Sequence, residues 1–132
     1  MHSSVDSVFV VNVPIFRDRR GTLAPLELSQ LVSFPVVRAF LIWDVPVGGI
    51  RGGHAHKACQ QFMICIKGHV TIELFDGRAE KTVYLPEGAG TLVSPGLFAT
   101  ERFDQPGTVL IVFCDHPYEK NDYIYERAEL AT

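Results

Sequence analysis

The sequence predicts an all-β fold of the barrel or sandwich type, and three observations support this prediction. Short runs of β-branched and aromatic residues follow one another, turn residues separate these runs at regular intervals, and helical periodicity is nearly absent. The turn markers include Pro46, Gly48-Gly49, Asp76-Gly77, Pro86-Glu87-Gly88, Pro95-Gly96 and Gln105-Pro106-Gly107. With 132 residues and 47% hydrophobic residues, we expect a single domain over residues 1–132.

The first half of the chain contains three predicted strands. Residues 8–13 are apolar and β-branched, residues 17–21 form a charged turn, and residues 23–28 form a second short strand. The third strand covers residues 36–43, and its alternation places Arg38, Phe40 and Ile42 on one face.

The second half predicts a series of strands joined by tight turns. Residues 62–66 and 70–75 read as a hairpin around Gly68, and Asp76-Gly77, the strongest turn signal in the chain, leads into residues 79–85. Residues 91–93, 97–103 and 108–114 complete the series. Only residues 28–31 and the tail after Tyr123 have a helical character.

Composition argues against several classes of function. The net charge is -3 without a long basic run, so we expect no nucleic-acid partner. No apolar run approaches the ~20 residues of a membrane helix, so we expect no membrane partner. The three cysteines match no zinc or disulfide spacing, and no signal peptide is visible, which favours a cytoplasmic protein.

The segment 51–57, which reads RGGHAHK, carries the most chemical information. On a strand, residues two apart project from the same face, so His54 and His56 lie side by side. Three interpretations stay open: structural histidines, a metal site, or proton transfer without a metal. A metal site needs about three ligands, whereas the glutamate position of the cupin metal pattern is Gln61 and no histidine follows Pro95-Gly96 at the expected distance. Imidazole titrates near neutrality, which suits proton transfer.

Several segments together resemble one family, the nucleotide-sugar 3,4-ketoisomerases, which are cupins. These segments are residues 17–23 with Glu27, residues 37–40, residues 44–46, residues 51–57 with Gln61, Asp76-Gly77, Pro117-Tyr118 and Asp122-Tyr123-Ile124. The resemblance covers nearly the whole chain and is far more specific than the two histidines alone.

The resemblance implies a cupin fold, that is, a double-stranded β-helix or jelly-roll barrel, which forms a homodimer and needs no metal or other cofactor. It implies an isomerase that moves the keto group of a dTDP-linked 4-keto-6-deoxy sugar between carbons 4 and 3, with catalytic roles for His54 and His56. Arginine suits phosphate oxygens, so Arg38 and Arg51 are candidates for binding the pyrophosphate. Gln61 is a candidate for orienting a histidine or binding a sugar hydroxyl.

Two positions depart from the family pattern. Phe40 stands where family members carry an active-site tyrosine, and Phe98-Ala99 stands where they carry an aromatic residue followed by histidine. We expect Phe40 and Phe98 to pack against the substrate, with Tyr84 or Tyr123 as alternative sources of a hydroxyl. The alternatives are a related nucleotide-sugar epimerase, a non-catalytic nucleotide-sugar-binding cupin, and a metal-dependent cupin of the oxygenase type.

Overall fold

The computed structural model describes residues 3–130 and consists of two five-stranded antiparallel sheets and a separate hairpin. The strands are β1 (Val10–Asn12), β2 (Phe16–Asp18), β3 (Gly21–Leu23), β4 (Arg38–Ile42), β5 (Ile50–His56), β6 (Gln61–Lys67), β7 (His69–Phe75), β8 (Glu80–Pro86), β9 (Ala89–Val93), β10 (Phe98–Phe103), β11 (Val109–Cys114) and β12 (Tyr123–Ile124). The first sheet has the order β1-β9-β6-β11-β4, the second has the order β12-β5-β10-β7-β8, and β2 pairs with β3.

The main core is built from alternate residues of both sheets. On β7, Val70, Ile72 and Leu74 are buried in this core, and on β11 the same holds for Leu110 and Val112. Truncating a fully buried leucine or isoleucine of such a core to alanine costs about 2–5 kcal/mol. The strand alternation therefore directs one face of each sheet inward, and any polar side chain on that face enters an apolar interior.

The turn at Asp76-Gly77 is confirmed, whereas the hairpin predicted around Gly68 is wrong. Strands β7 and β8 pair across the first turn, with Phe75 opposite Glu80. Strand β6 instead pairs with β9 and β11, so the chain changes sheets at Gly68. Gly68 has a φ of 88°, and a Cβ there would overlap the backbone and side chain of Thr108, so a close contact with a distant segment explains this glycine.

The strand predicted over residues 23–28 is also wrong. Strand β3 ends at Leu23, and the next element is a short helix, α1 (Leu28–Leu31), which confirms the helical character of those residues. In the tail, a 3₁₀ helix covers Arg127–Leu130. The predicted charged turn over residues 17–21 is a tight hairpin between β2 and β3.

Within residues 3–130, apolar surface is exposed on strand β4 and on the β2–β3 hairpin. Strand β4 forms one edge of the first sheet, and Val37, Leu41 and Trp43 beside or on it are more than half exposed. The β2–β3 hairpin pairs with neither sheet and exposes Phe16 and Leu23. Separately, the described part of the chain has no helix long and apolar enough to cross a membrane.

Candidate active site

His54 and His56 lie together near the end of β5, on its inward face. Their ring centroids are 5.0 Å apart and the rings are nearly perpendicular. Ala55, between them, points to the opposite face of the sheet, where it is fully buried. His56 is 4% exposed, and His54 is half-buried. The predicted side-by-side arrangement of the two imidazoles is what the structure has.

The Asp122 carboxylate holds the ring of His56. Asp122 Oδ2 lies 2.8 Å from His56 Nδ1, and the same carboxylate accepts hydrogen bonds from the backbone N–H groups of Ala58 at 2.7 Å and Cys59 at 3.3 Å. Because a carboxylate only accepts hydrogen bonds, Nδ1 of a neutral His56 carries the hydrogen. The Nε2 atom is then an unprotonated base, and it is buried with no hydrogen-bond partner among residues 3–130.

Both histidines are neutral at physiological pH. Burial lowers the pKa of His56, and the hydrogen bond and charge of Asp122 only partly oppose this effect. Burial and the neighbouring His56 likewise lower the pKa of His54, against a hydrogen bond to the Gly52 backbone. Although burial opposes ionisation, the hydrogen bonds to Asp122 leave its pKa below the ordinary value, so its carboxylate stays charged. The site therefore holds two neutral imidazoles ready to accept protons.

Tyr123 covers both imidazoles. It pairs with His56 across the short β12–β5 ladder, and its ring centroid lies 4.7 Å from that of His54 and 4.5 Å from that of His56. Burial raises the pKa of Tyr123, and the interaction of its hydroxyl with the Arg38 guanidinium opposes this effect. Tyr125 stacks on Tyr123 at a centroid distance of 5.7 Å, and its ring centroid lies 6.1 Å from that of His54. An aromatic layer from the C-terminal segment thus desolvates the histidines and connects them to the first sheet.

The first sheet brings Arg38, Gln61 and Phe40 to the same region. Cys114 on β11 pairs with Arg38 on one side and Gln61 on the other, and its Sγ lies 3.6 Å from Arg38 Nη2 and 3.8 Å from Gln61 Nε2. The Arg38 guanidinium lies 5.5 Å from the centroid of the Phe40 ring, and its charge lowers the pKa of His56. The buried Nε of Arg38 has no hydrogen-bond partner in the described residues. A buried donor without a partner needs an explanation, and a bound ligand would provide one.

Arg51 and Phe98 lie elsewhere. Arg51 is exposed further back on β5, opposite Glu101 of β10. Phe98 packs with Ala55 and Leu130 on the outer face of the second sheet, and the guanidinium of Arg127 lies 5.8 Å from its ring centroid. The side chain of Phe98 is therefore on the opposite side of the sheet from the histidines. Tyr84 is exposed on the surface beside His69, away from the site.

One group of possible metal ligands overlaps the site. Ligand atoms of His56, Cys59 and Asp122 lie within 4.8 Å of one another. Metals bind the thiolate form of cysteine, whereas burial raises the pKa of Cys59 to about 12. His56 Nδ1 and Asp122 Oδ2 are already hydrogen-bonded to each other. These three residues thus form a hydrogen-bonded support for His56 better than a metal site.

The sequence contains no signal that places Asp122 and Tyr123 beside His54 and His56. Both belong to a segment that carries the family resemblance, but no periodicity connects them to residues 54–56. Only the two-residue ladder between β12 and β5 brings them there.

A family model described as "FdtA: WxcM-like, C-terminal" matches residues 6–132 of the chain. Among curated proteins, the chain is similar to the TDP-4-oxo-6-deoxy-alpha-D-glucose-3,4-oxoisomerase of Aneurinibacillus thermoaerophilus. The two are 29% identical over 116 residues, which cover 87% of this chain and 84% of that enzyme.

The chain is also similar to solved structures of 3,4-ketoisomerases. A 3,4-ketoisomerase from Helicobacter canadensis is 29% identical, with a TM-score of 0.84 over 95% of each chain. A histidine-to-asparagine mutant of the 3,4-ketoisomerase QdtA from Thermoanaerobacterium thermosaccharolyticum, in complex with TDP-4-keto-6-deoxyglucose, is 26% identical. Its TM-score is 0.86, over 97% of this chain and 94% of that chain. The predicted all-β cupin, or jelly-roll, fold is confirmed.

Proposed function

Because the chain belongs to the family described as FdtA, WxcM-like C-terminal, we propose that it is a 3,4-ketoisomerase acting on a dTDP-linked 4-keto-6-deoxy sugar. The observation that carries this proposal is the pair of neutral imidazoles on the inward face of β5, one of which presents a buried, unpaired Nε2. The resemblance to the oxoisomerase and ketoisomerases supplies the substrate class.

The reaction requires two proton transfers at neighbouring carbons. A proton at carbon 3 is acidic because the adjacent ketone at carbon 4 delocalises the resulting charge as an enediolate. One imidazole removes this proton, the hydroxyl proton of oxygen 3 moves to oxygen 4, and carbon 4 is then protonated. The product has its ketone at carbon 3, and atoms and electrons balance without a redox cofactor. His54 and His56 perform the transfers, and Asp122 fixes the tautomer of His56.

The residues of the first sheet orient the substrate. Arg38 offers its unpartnered Nε and its positive charge to the pyrophosphate, and Gln61 offers its amide to a sugar hydroxyl. Phe40 provides an apolar surface beside them. The exposed Arg51 is a second candidate for a phosphate contact at the edge of the barrel.

Turnover in deuterated water tests this proposal. Incubation with dTDP-4-keto-6-deoxyglucose is expected to give the 3-keto isomer with deuterium at carbon 4 of the sugar, detected by NMR. His54→Asn and His56→Asn are each expected to abolish exchange. The control His69→Asn changes a histidine on the far side of the second sheet, bonded to Asp104, and is expected to leave turnover intact. A wild-type protein that binds the sugar nucleotide without exchange or product would contradict the proposal.

We also propose that the protein is a cytoplasmic homodimer. The unpaired edge of β4 with exposed Leu41 and Trp43, and the projecting hairpin with exposed Phe16 and Leu23, leave apolar area that a second copy would cover. All three cysteines are free and buried, which suits a reducing compartment. Light scattering should give twice the mass of the chain for the wild type and a monomer for Leu41→Lys with Trp43→Lys. A monomeric wild type would contradict the dimer.

A further inference from the structure

Glu101 is a buried carboxyl group inside the barrel that the proposed mechanism does not use. It lies on β10 two residues after Ala99, and on this face Ala99 is the cross-strand partner of His54. Glu101 is 4% exposed, and its Oε2 has no hydrogen-bond partner in the described part of the chain. A buried polar atom without a partner is costly and therefore needs an explanation.

The backbone of β5 is shaped to admit this carboxyl group. Gly52 has a φ of 83°, and a Cβ at this position would overlap Glu101 Oε2 and lie 2.9 Å from the carbonyl oxygen of Ala99. Gly53 has nearly the same φ, 81°, but a Cβ there would meet nothing within 4 Å. The first glycine of the pair thus serves the carboxyl group, two residues before His54 in the chain.

The surroundings of Glu101 keep it protonated. Burial raises its pKa to about 8, and the charge of Arg51, its cross-strand neighbour on β5, opposes this only in part. On the other side, β7 places the apolar Ile72 opposite Glu101. His54, the cross-strand partner of Ala99, has a lowered pKa that leaves it uncharged. Arg102, adjacent on β10, forms its ion pairs with Asp104 and Glu73, away from Glu101.

We propose that Glu101, as a neutral carboxylic acid, donates a hydrogen bond to an oxygen of the bound sugar and stabilises the enediolate that forms between the histidines. Ala99, the cross-strand partner of His54, precedes Glu101 by two residues on this face of β10, so His54 is the diagonal neighbour of Glu101 on β5. This inference rests on the proposed function. It adds a third substrate-contacting group, of the opposite chemical kind to the two bases.

In the proposed reaction, such a donor would stabilise the negative charge of the enediolate. When an imidazole removes the proton at carbon 3, the positive charge appears on that ring while negative charge develops on oxygen, so a donor placed at the oxygen still stabilises the enediolate. A hydrogen-bond donor held in an apolar site stabilises this charge, and the loss of one such donor typically lowers kcat by about 10²–10³-fold. A carboxylate at the same place would repel the developing charge, so the acid must be protonated to act.

Infrared difference spectroscopy tests the contact without requiring turnover. Wild type minus Glu101→Gln is expected to show the C=O stretch of a protonated carboxyl group at neutral pH, and this band should disappear as the pH rises through about 8. Addition of dTDP-4-keto-6-deoxyglucose is expected to move the band to lower wavenumber, because a new hydrogen bond weakens the C=O bond. A band that stays in place while calorimetry shows binding overturns the inference alone. Absence of binding overturns the inference together with the proposed function.

Kinetics provide the second test. Glu101→Gln keeps an N–H donor, so kcat is expected to stay within about 10-fold of the wild type while the decline in activity above about pH 8 disappears. Glu101→Leu removes the donor, and kcat is expected to fall by about 10²–10³-fold with a smaller change in KM. Glu73→Gln, an exposed glutamate on neighbouring β7, is the matched control and should keep both kcat and the pH profile. Wild-type kcat in a folded Glu101→Leu variant would overturn the inference.

Discussion

The Asp122 carboxylate lies 2.8 Å from Nδ1 of His56, although 66 positions separate the two residues in the chain. This contact determines which nitrogen of His56 carries hydrogen and therefore which one is a base. It also connects the segment 120–124 to the barrel, since the same carboxylate binds the backbone of the loop that follows β5.

Asp122→Asn is expected to lower kcat by about 10²–10⁴-fold, the usual contribution of a positioned acid–base group. The amide can donate to Nδ1, which moves the hydrogen of the ring to Nε2 and removes the base. The amide oxygen can still accept the hydrogen bond of Ala58 that Asp122 Oδ1 receives, so the loop should stay folded. Steady-state kinetics and circular dichroism measure the two effects. The matched control is Asp115→Asn, because Asp115 holds the exposed His116 in the same way, at 2.6 Å. Equal losses in both variants would show that the effect is structural.

Tyr123→Ala is expected to raise the pKa of both catalytic histidines towards the ordinary value of 6.5, because burial is the largest cause of their lowered pKa values. The acidic limb of the kcat/KM profile should therefore move to higher pH. Tyr123→Phe keeps the ring and loses only the hydroxyl that interacts with Arg38, so the acidic limb of its kcat/KM profile should not move. Tyr118→Ala, which removes an exposed ring 5.8 Å from Tyr123, is the control. An unchanged limb in Tyr123→Ala would contradict this account of the pKa shift.

Gly52→Ala and Gly53→Ala form a matched pair that separates backbone strain from steric overlap. Both residues have φ near 80°, so each alanine should cost about 1–2 kcal/mol of unfolding free energy. Only the alanine at position 52 also meets the Glu101 carboxyl group and the Ala99 carbonyl. We expect the larger loss of stability, and the loss of turnover, in Gly52→Ala. Urea denaturation measures the unfolding free energy of both variants. Equal losses would mean that the overlap of a Cβ at position 52 with Glu101 does not affect stability.

Glu101 is expected to lower the stability of the wild type as the pH rises from about 4.5 to about 8, whereas the lowered pKa values of His54 and His56 favour the folded chain as the pH rises through 6.5. The folded-state pKa of Glu101, about 8, lies above its ordinary value of 4.5. Between these values the folded chain binds the proton more tightly than the unfolded chain, so each increase in pH favours unfolding. Glu101→Gln should remove the contribution of Glu101 to the pH dependence of the unfolding free energy. Its Tm at pH 8 should therefore be higher than that of the wild type, and ~1 kcal/mol corresponds to about 4 °C. Thermal denaturation across this pH range checks it, and parallel curves for the two proteins would refute it.

Local sequence signals predicted those parts of the fold that depend on local interactions. The Asp76-Gly77 turn and the helical residues 28–31 are of this kind, because each forms its hydrogen bonds within a few residues. The glycine at position 68 marked a real change of direction, but the contact that requires a glycine there is with Thr108, forty residues away. Local periodicity carries no information about such a contact.

In the site, too, the features that depend on local strand geometry were predicted, and those that depend on distant contacts were not. The alternation of β5 predicted that His54 and His56 share a face, since this depends only on strand geometry. The expectation for Phe98 came from the family pattern, which marks the position of an aromatic residue but not the face of β10 from which its side chain projects. Because successive residues of a strand point to opposite faces, Phe98 faces outward while Ala99 faces the histidines.

The attachment of β12 to β5 has a consequence for biosynthesis. The ribosome makes the histidine strand and every other strand of both sheets before it makes Asp122 and Tyr123. A nascent chain can therefore close its barrel while His56 still lacks the carboxylate that orients it. Catalytic competence therefore requires the docking of this short segment in addition to the folding of the barrel.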